Sequence, residues 1–324
     1  MAKTINWEGR IGRRLRLRDL HVFFTVLQHR SMAKAAQELG VTQPAVSRAI
    51  ADLEHTLGVL LLDRSPRGVE PTIYGRALLK RGNAAFDELR QGVRDIEFLT
   101  DPTVGEVRIG CQETIAAAIL PPVMQHFSRE YPRVVLYVEQ LSWSASSLDL
   151  PSLSDRGLDL VIVRSEKPRA DKKLPDELHA ETLFHDQLVV AAGRQTHWAR
   201  RRKIDIAELI NEPWILPYPN SWNYAELAEA FQSRGLDMPR LRSVALSTHI
   251  RINLLAAGPH ITTFANSVMG LYADRFSLKA LPVDLPIRPW PVLMVTVKNR
   301  TLSPVVELFI EHLRDFTRSV GAEQ

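Results

Sequence analysis

Cysteine is nearly absent from this sequence: Cys111 is the single one in 324 residues. One thiol cannot form an internal disulfide, so a bridge-stapled secreted scaffold is excluded and a reducing cytoplasm suits the chain. A sensor built on an intramolecular disulfide lacks its second thiol, which leaves Cys111 as a buried structural residue. Long apolar runs are missing too. No run of roughly 18 or more apolar residues occurs, so no membrane-spanning helix is expected. The opening MAKTINWEGRIGRRLRLRD is basic without the apolar centre of a secretory signal. Catalytic signatures are equally scarce: there is no G-x-S-x-G, no H-E-x-x-H and no phosphate-cradling glycine loop. The ten histidines show no ligand spacing. No catalytic residue, metal ligand or cofactor is expected, and the chain does not read as an enzyme.

What is present is an ordinary globular composition, 45% apolar and 24% charged, with length for two or three domains. The net charge of +4 is unevenly spread. Residues 1–81 hold 14 Lys and Arg against 7 Asp and Glu, whereas residues 82–324 hold 27 against 30. A basic N-terminal segment on a near-neutral body points to a local polyanion-binding module.

The motifs make that reading specific. Leu20, Phe23, Phe24 and Leu27 recur at i, i+3, i+4 and i+7, one face of a helix. A second helix over Ser31–Leu39 turns Met32, Ala35, Ala36 and Leu39 inward, and Gly40 permits a sharp turn. Thr42 is placed to N-cap a third helix whose first turn accommodates Pro44. Val46, Ile50 and Leu53 form its buried stripe; Gln43, Ser47 and Arg48 lie opposite. This is a helix-turn-helix pattern, which sets the start of its second helix into the DNA major groove. Gln43 can read adenine bidentately, Arg48 can read guanine or hold phosphate, Ser47 is a short adaptable donor, and the helix N-terminus favours a phosphate oxygen. Ser31, Lys34, Thr42 and Pro44 complete the expected DNA-facing set.

After Gly58, VLLLDRSPRGVEPTIYGRALL reads as two short strands around a basic turn, a wing whose Arg64 and Arg67 reach backbone phosphate or the minor groove. Thr72 then caps a helix to about Leu99. Its stripe of Leu78, Ala85, Leu89, Val93 and Ile96 exceeds what so small a domain can bury, so pairing with the same helix of a second copy is expected.

SMAKAAQELGVTQPAVSRAIADLEHTLGVLLLDR and the following RGVEPTIYGRALL resemble the N-terminal domain of the LysR-type transcriptional regulators. The A-A-x-x-L, T-Q-P-A-V-S, L-E-x-x-L-G and R-G-x-x-x-T-x-x-G elements are all present, and Leu62 departs from the usual phenylalanine by an apolar exchange. The likeness runs from Leu17 to about Val320. LLDRSPRGVEPTIYGRALLKRG, QGVRDIEFLTDPTVGEVRIGCQE and AAAILPPVM look most like the branch holding the galactose-binding-protein regulator and the protocatechuate-pathway regulator.

Beyond the polar hinge TDPTVGE, the runs VRIG, VVLYVEQ, LDLVIVR, QLVVAAG, PWILP, SVALS, ITTFA and VLMVTVK alternate with helical patterns at 119–130, 222–234, 250–257 and 303–318. Such alternation predicts an α/β domain with helices on both sheet faces. Ser303 is expected to cap the last helix, with Pro304 in its first turn. The fold class is therefore α/β multidomain, with a winged helix-turn-helix at 15–73, a linker helix at 72–101 and an effector-binding domain at 104–324. The resemblance implies that the last resembles a periplasmic binding protein, with lobe I about 104–181 and 288–320 and lobe II about 182–287. A small molecule would sit between the lobes, near strand ends and helix N-termini.

That places Gln112, Glu113 and Thr114 after the first strand, Ser142 and Trp143 after the second, and Arg164 at the end of the third. Ser221 starts one helix, Thr248 and His249 another, and Phe264 follows a later strand. Glu113 sits poorly with a carboxylate effector and, with Trp143 and the hydroxyl groups, favours a sugar-like polyol; Arg164 favours the rival, an aromatic acid. The whole chain reads as a cytoplasmic regulator of double-stranded DNA that responds to a small-molecule effector. The resemblance implies a homodimer or homotetramer on an inverted repeat with a T-N11-A core, and admits RNA polymerase as a further partner. The alternative is a ligand-binding module of the solute-binding type without a transcriptional role.

Overall fold

The structure, a computed structural model, describes residues 14–65, 68–141, 153, 157–164, 175–219, 221–240, 243–245 and 247–322. It divides into two units, Met1–Arg90 and Gln91–Gln324, and the boundary falls inside a helix.

In the first unit, apolar spacing produces three short helices: α1 (Leu17–His29), α2 (Met32–Glu38) and α3 (Gln43–Leu57). Phe23, Val26, Ala35, Val46, Ile50 and Leu53 interlock as their core. Gly40 makes the α2–α3 turn at φ +63°, a conformation costly for any residue with a Cβ. The wing follows as β1 (Leu62–Ser65) paired antiparallel with β2 (Gly68–Pro71). Glu54 on α3 fixes its entry: Oε1 accepts from the backbone N–H groups of Leu61 at 2.8 Å and Leu62 at 3.2 Å. The Leu62 side chain is buried, so the smaller apolar residue still fills the core.

Thr72 caps helix α4 (Ile73–Thr100) by accepting from Gly75 N–H at 3.0 Å, and its hydroxyl donates to Leu60 O at 2.8 Å. A Cβ at Gly75 would lie 2.1 Å from Leu61 O, so the helix can start this close to the wing only with glycine there. Leu78, Leu79 and Phe86 pack onto the first unit's core. Farther along α4, Leu89, Val93, Ile96 and Leu99 remain exposed, Leu99 at 82%.

In the second unit, β3 (Val104–Cys111), α5 (Glu113–Ala118), α6 (Leu120–Glu130), β4 (Arg133–Gln140) and β5 (Leu160–Arg164) open the domain. β6 (Leu178–Asp186) and β7 (Leu188–Gly193) follow, then the two-residue strands β8 (Ile215–Leu216) and β9 (Ser243–Val244), with α7 (Trp222–Gln232) between them. α8 (Thr248–Ala257), β10 (Ile261–Ala265), α9 (Asn266–Tyr272), β11 (Leu278–Ala280), β12 (Trp290–Val297) and α10 (Pro304–Ala322) complete it. One sheet has the order β4-β3-β5-β12-β6; β3 lies parallel to β4 and β5, while β12 is antiparallel to β5 and β6. The second has the order β10-β7-β11, antiparallel throughout. Because β6 belongs to the first sheet and β7 to the second, the chain crosses between lobes at Gln187.

Buried charge anchors the first lobe. Asp159 accepts from Arg94 Nη1 at 3.2 Å, Arg300 Nη2 at 3.1 Å and Arg108 N–H at 2.9 Å, tying the end of α4 to the sheet. Ser303 precedes α10 as expected, yet its buried Oγ has no hydrogen-bond partner among the described residues; its carbonyl instead accepts from Val306 at 2.9 Å and Glu307 at 3.1 Å. Cys111 is fully buried in β3, and burial pushes its thiol up to about 11. Among the described residues no helix is long and apolar enough to cross a membrane.

Candidate DNA-binding face and ligand cleft

The start of α3 presents Thr42, Gln43, Pro44 and Arg48 exposed and Ser47 half-buried, directly over the buried Val46, Ile50 and Leu53. Thr42 takes the extended conformation of a cap, but its hydroxyl makes no capping bond. The reason lies two residues on. A cap targets the second or third N–H of the helix; Pro44 removes the second, and Ala45 N–H goes to the Thr42 carbonyl at 3.0 Å. The Thr42 side chain therefore stays on the solvent face. Ser31 does cap α2, accepting from Lys34 N–H at 3.4 Å, while the Lys34 side chain is exposed. Arg64 is exposed on β1; Arg67 lies outside the described residues.

Where the two lobes meet, the expected cleft residues surround two buried guanidinium groups. Arg164, 4% exposed at the end of β5, donates from Nη2 to Asp186 Oδ2 at 2.6 Å and from Nη1 to Thr114 Oγ1 at 3.2 Å. Its backbone N–H donates to Gln112 Oε1 at 2.9 Å. Asp186, at the crossover, also accepts from the Ser267 hydroxyl at 2.6 Å and from the N–H groups of Gln187 at 2.9 Å and Ser267 at 3.2 Å. Each carboxylate oxygen is thus satisfied, the condition under which a buried ion pair is tolerated.

Arg251 on α8 differs. It is 6% exposed, donates from Nη1 to Thr263 O at 2.9 Å and lies 4.7 Å above the Phe264 ring, with no carboxylate in ion-pair range among the described residues. Burial pulls its pKa down to about 10; the Glu113 charge opposes that shift and the Arg164 charge adds to it. Arg164 Nε, Arg251 Nε and Thr248 Oγ1 are buried without a partner among the described residues. Glu113 Oε1 meanwhile accepts from Thr248 N–H at 2.7 Å, so this carboxylate caps α8 from the opposite lobe. The cluster thus holds two guanidinium groups and two carboxylates, with Arg164 paired to Asp186 and Arg251 left without an ion-pair partner among the described residues.

Comparison with known proteins places both halves. A profile described as "Bacterial regulatory helix-turn-helix protein, lysR family" matches residues 17–76, and one described as "LysR substrate binding domain" matches residues 100–318. The chain belongs to the LysR family. LysR proteins are DNA-binding transcriptional regulators with an effector-binding domain, so the solute-binding alternative is set aside. The transcriptional regulator TdcA of Escherichia coli K12 is 32% identical, covering 94% of each chain. The regulator GbpR of Azospirillum brasilense is 26% identical, covering 93% of this chain and 86% of its own. In structure, a full-length OxyR variant from Pseudomonas aeruginosa superposes with a TM-score of 0.62 at 19% identity, covering 94% of this chain and 95% of that one. With TdcA and GbpR both matching along most of the chain, the likeness does not single out the branch expected from the sequence.

Within this LysR effector domain, the expected cleft residues separate. Gln112, Glu113, Thr114, Arg164 and Thr248 come together around the buried arginines. Ser221 is spent on capping α7, accepting from Tyr224 N–H at 3.3 Å and donating to Tyr218 O at 2.6 Å. His249 points to solvent beside Thr248. Phe264 lies inside β10 rather than after it, buried beneath Arg251, because ITTFA is buried along its whole length. Ser142 and Trp143 lie outside the described residues. Three participants escaped the sequence reading: Asp186, Ser267 and Arg251. Only Arg251 left a trace, as a lone charge among the apolar residues of HIRINLLAAG.

Proposed function

We propose that this LysR-family regulator acts in the cytoplasm as a homodimer, or as a homotetramer made of two such dimers, on an inverted-repeat promoter site. The exposed N-terminal turn of α3 supports the division of roles: Gln43 reads a base edge, Arg48 reads guanine or binds phosphate, and Ser47, Thr42, Pro44, Ser31 and Lys34 seat the helix. Arg64, with Arg67, holds backbone phosphate. The exposed apolar stripe Leu89, Val93, Ile96 and Leu99 on α4 favours pairing with a second copy. RNA polymerase is the further partner through which occupancy becomes transcription.

Of the two effector classes, the acid is the better match. The observation that carries this choice is Arg251, a buried cation without a carboxylate partner among the described residues. Burying an unpaired charge is costly, and a ligand carboxylate would relieve that cost. Glu113, whose charge favours a neutral polyol when read from the sequence, directs Oε1 to the Thr248 N–H while its charge acts on Arg251. Entry of the ligand parts α5 from α8, and a ligand that favours one lobe arrangement over the other shifts the population between them. A thermal-shift screen of small carboxylates against neutral sugars tests the assignment. A carboxylate that raises the Tm of the wild type but not of Arg251→Met supports it; a neutral sugar that stabilises both proteins equally overturns it. Removing residues 1–75 separates the two halves, abolishing DNA binding while the remaining chain still binds the acid.

A further inference from the structure

Helices α6 and α10 pack side by side in the first lobe, with Phe127 against Phe309 at 5.3 Å between ring centroids. At one end of this contact His126, Glu130 and His312 converge. His126 and Glu130 are one helical turn apart on α6 and share a face. His312 comes from α10, its ring set edge-on against Phe127 at 5.2 Å and 5.6 Å from the His126 ring. One ligand atom from each of the three residues lies within 4.8 Å of the others.

The orientation of His312 is the informative detail. Its Nδ1 lies 2.9 Å from the Leu308 carbonyl, and a carbonyl only accepts, so Nδ1 carries the hydrogen. In the neutral ring Nε2 is then a bare lone pair, and it faces Glu130 Oε2 at 3.0 Å. Two acceptors at hydrogen-bond distance require an electrophile shared between them. A backbone carbonyl fixing the far nitrogen is also the arrangement that orients metal-bound histidines.

We propose that His126, Glu130 and His312 bind a borderline divalent transition cation of the zinc class, clipping α6 to α10. Two imidazoles and one carboxylate suit such a cation, and hard cations such as magnesium and calcium prefer all-oxygen shells. Tetrahedral zinc, with bonds of about 2.0–2.1 Å, separates its ligand atoms by about 3.3 Å. The present spacing therefore closes by about 1.5 Å at most, within reach of a χ rotation of the exposed His126. The charges acting on the Glu130 carboxylate are those of His312 and His126 themselves, and the Tyr131 side chain hydrogen-bonds to it. The fourth position is left to water or to a donor from another molecule.

The test uses the full-length chain stripped with a chelator and titrated with zinc chloride against a chromophoric competitor. Cobalt chloride provides a visible-absorption readout of coordination geometry. The expected result is one competitor-resistant zinc per chain, a cobalt spectrum of the intense tetrahedral type, and a Tm raised by about 5 °C at a hundredfold excess over the Kd. His126→Ala and Glu130→Gln, both at exposed positions, each weaken zinc at least tenfold, whereas His249→Ala leaves it unchanged. His312→Ala is read only alongside these two, since it also removes a ring packed on Phe127. Zinc binding of equal strength in wild type, His126→Ala and Glu130→Gln overturns the proposal. So does the absence of competitor-resistant zinc in the wild type, which makes a proton the only occupant between His312 and Glu130.

Discussion

Glu113 Oε1 and the backbone N–H of Thr248 are 2.7 Å apart, and that hydrogen bond joins a helix of one lobe to a helix of the other. It places a negative charge at the N-terminus of α8, where the helix dipole favours it. Glu113→Ala leaves that N–H unpaired and is expected to cost about 1–2 kcal/mol of effector-domain stability. Glu113→Gln keeps a neutral acceptor and costs less. Urea unfolding of the two variants checks this order; equal losses show that the acceptor itself contributes nothing.

The two buried arginines are expected to respond unequally to removal of their charge. Arg164→Met strands Asp186 without its cation and costs about 3–5 kcal/mol. Arg251→Met loses one hydrogen bond to Thr263 O, worth about 1 kcal/mol, but also removes an unpaired buried charge. Its stability stays within about 1 kcal/mol of the wild type. Chemical denaturation of both variants without ligand separates these outcomes.

Glu181 on β6 accepts two bonds from Arg314 on α10, at 2.9 and 2.7 Å. The Arg314 hydrogen bond holds its carboxyl below the ordinary value of 4.5. The unfolded chain therefore takes up this proton at a higher pH than the folded one. The pair's contribution is complete above about pH 5 and is lost as pH falls through the folded value. Solvent exposure keeps it below about 1 kcal/mol. Tm measured from pH 6 to pH 4 should fall less steeply for Glu181→Gln than for the wild type.

Ile96 is 65% exposed on α4, in line with Val93 and Leu99. Ile96→Glu substitutes a good helix former, so the helix persists while a charge enters the apolar stripe. Sedimentation velocity should show the wild type as a dimer or larger and the variant shifted toward monomer.

The N-terminal unit was legible in the sequence because its elements depend on local signals. Leu20 and Phe23 mark a helix face, Gly40 marks a turn, and Thr72 marks the start of the long helix. Thr42 shows the limit of such signals: the residue type and backbone are those of a cap, and Pro44 removes one of its targets. In the second unit the reading failed where structure depends on distant partners. β6, LHAETLFHD, is rich in polar residues and becomes a strand by pairing with β12. α9 is too short to show a helical period. In the cleft, Gln112, Thr114 and Arg164 follow from their positions at strand ends. Asp186 and Ser267 do not, because their roles arise only where β6 leaves the first sheet and α9 comes up against it. His126 and Glu130 carried an i,i+4 spacing, but their third partner lies on α10, far along the chain.

The most direct test of the regulator reading is selection of bound duplexes from a random pool, sequenced at a salt concentration that suppresses non-specific phosphate binding. It is run in parallel on the wild type, Gln43→Ala and Arg64→Ala. The wild type should recover a two-fold-symmetric motif. Gln43→Ala should lose preference at one position in each half-site. Arg64→Ala should keep the motif while binding every sequence more weakly, with its salt slope shallower by about 1 per subunit. A wild type that binds DNA yet recovers no symmetric motif, or a Gln43→Ala variant with an unchanged motif, would contradict base readout by α3.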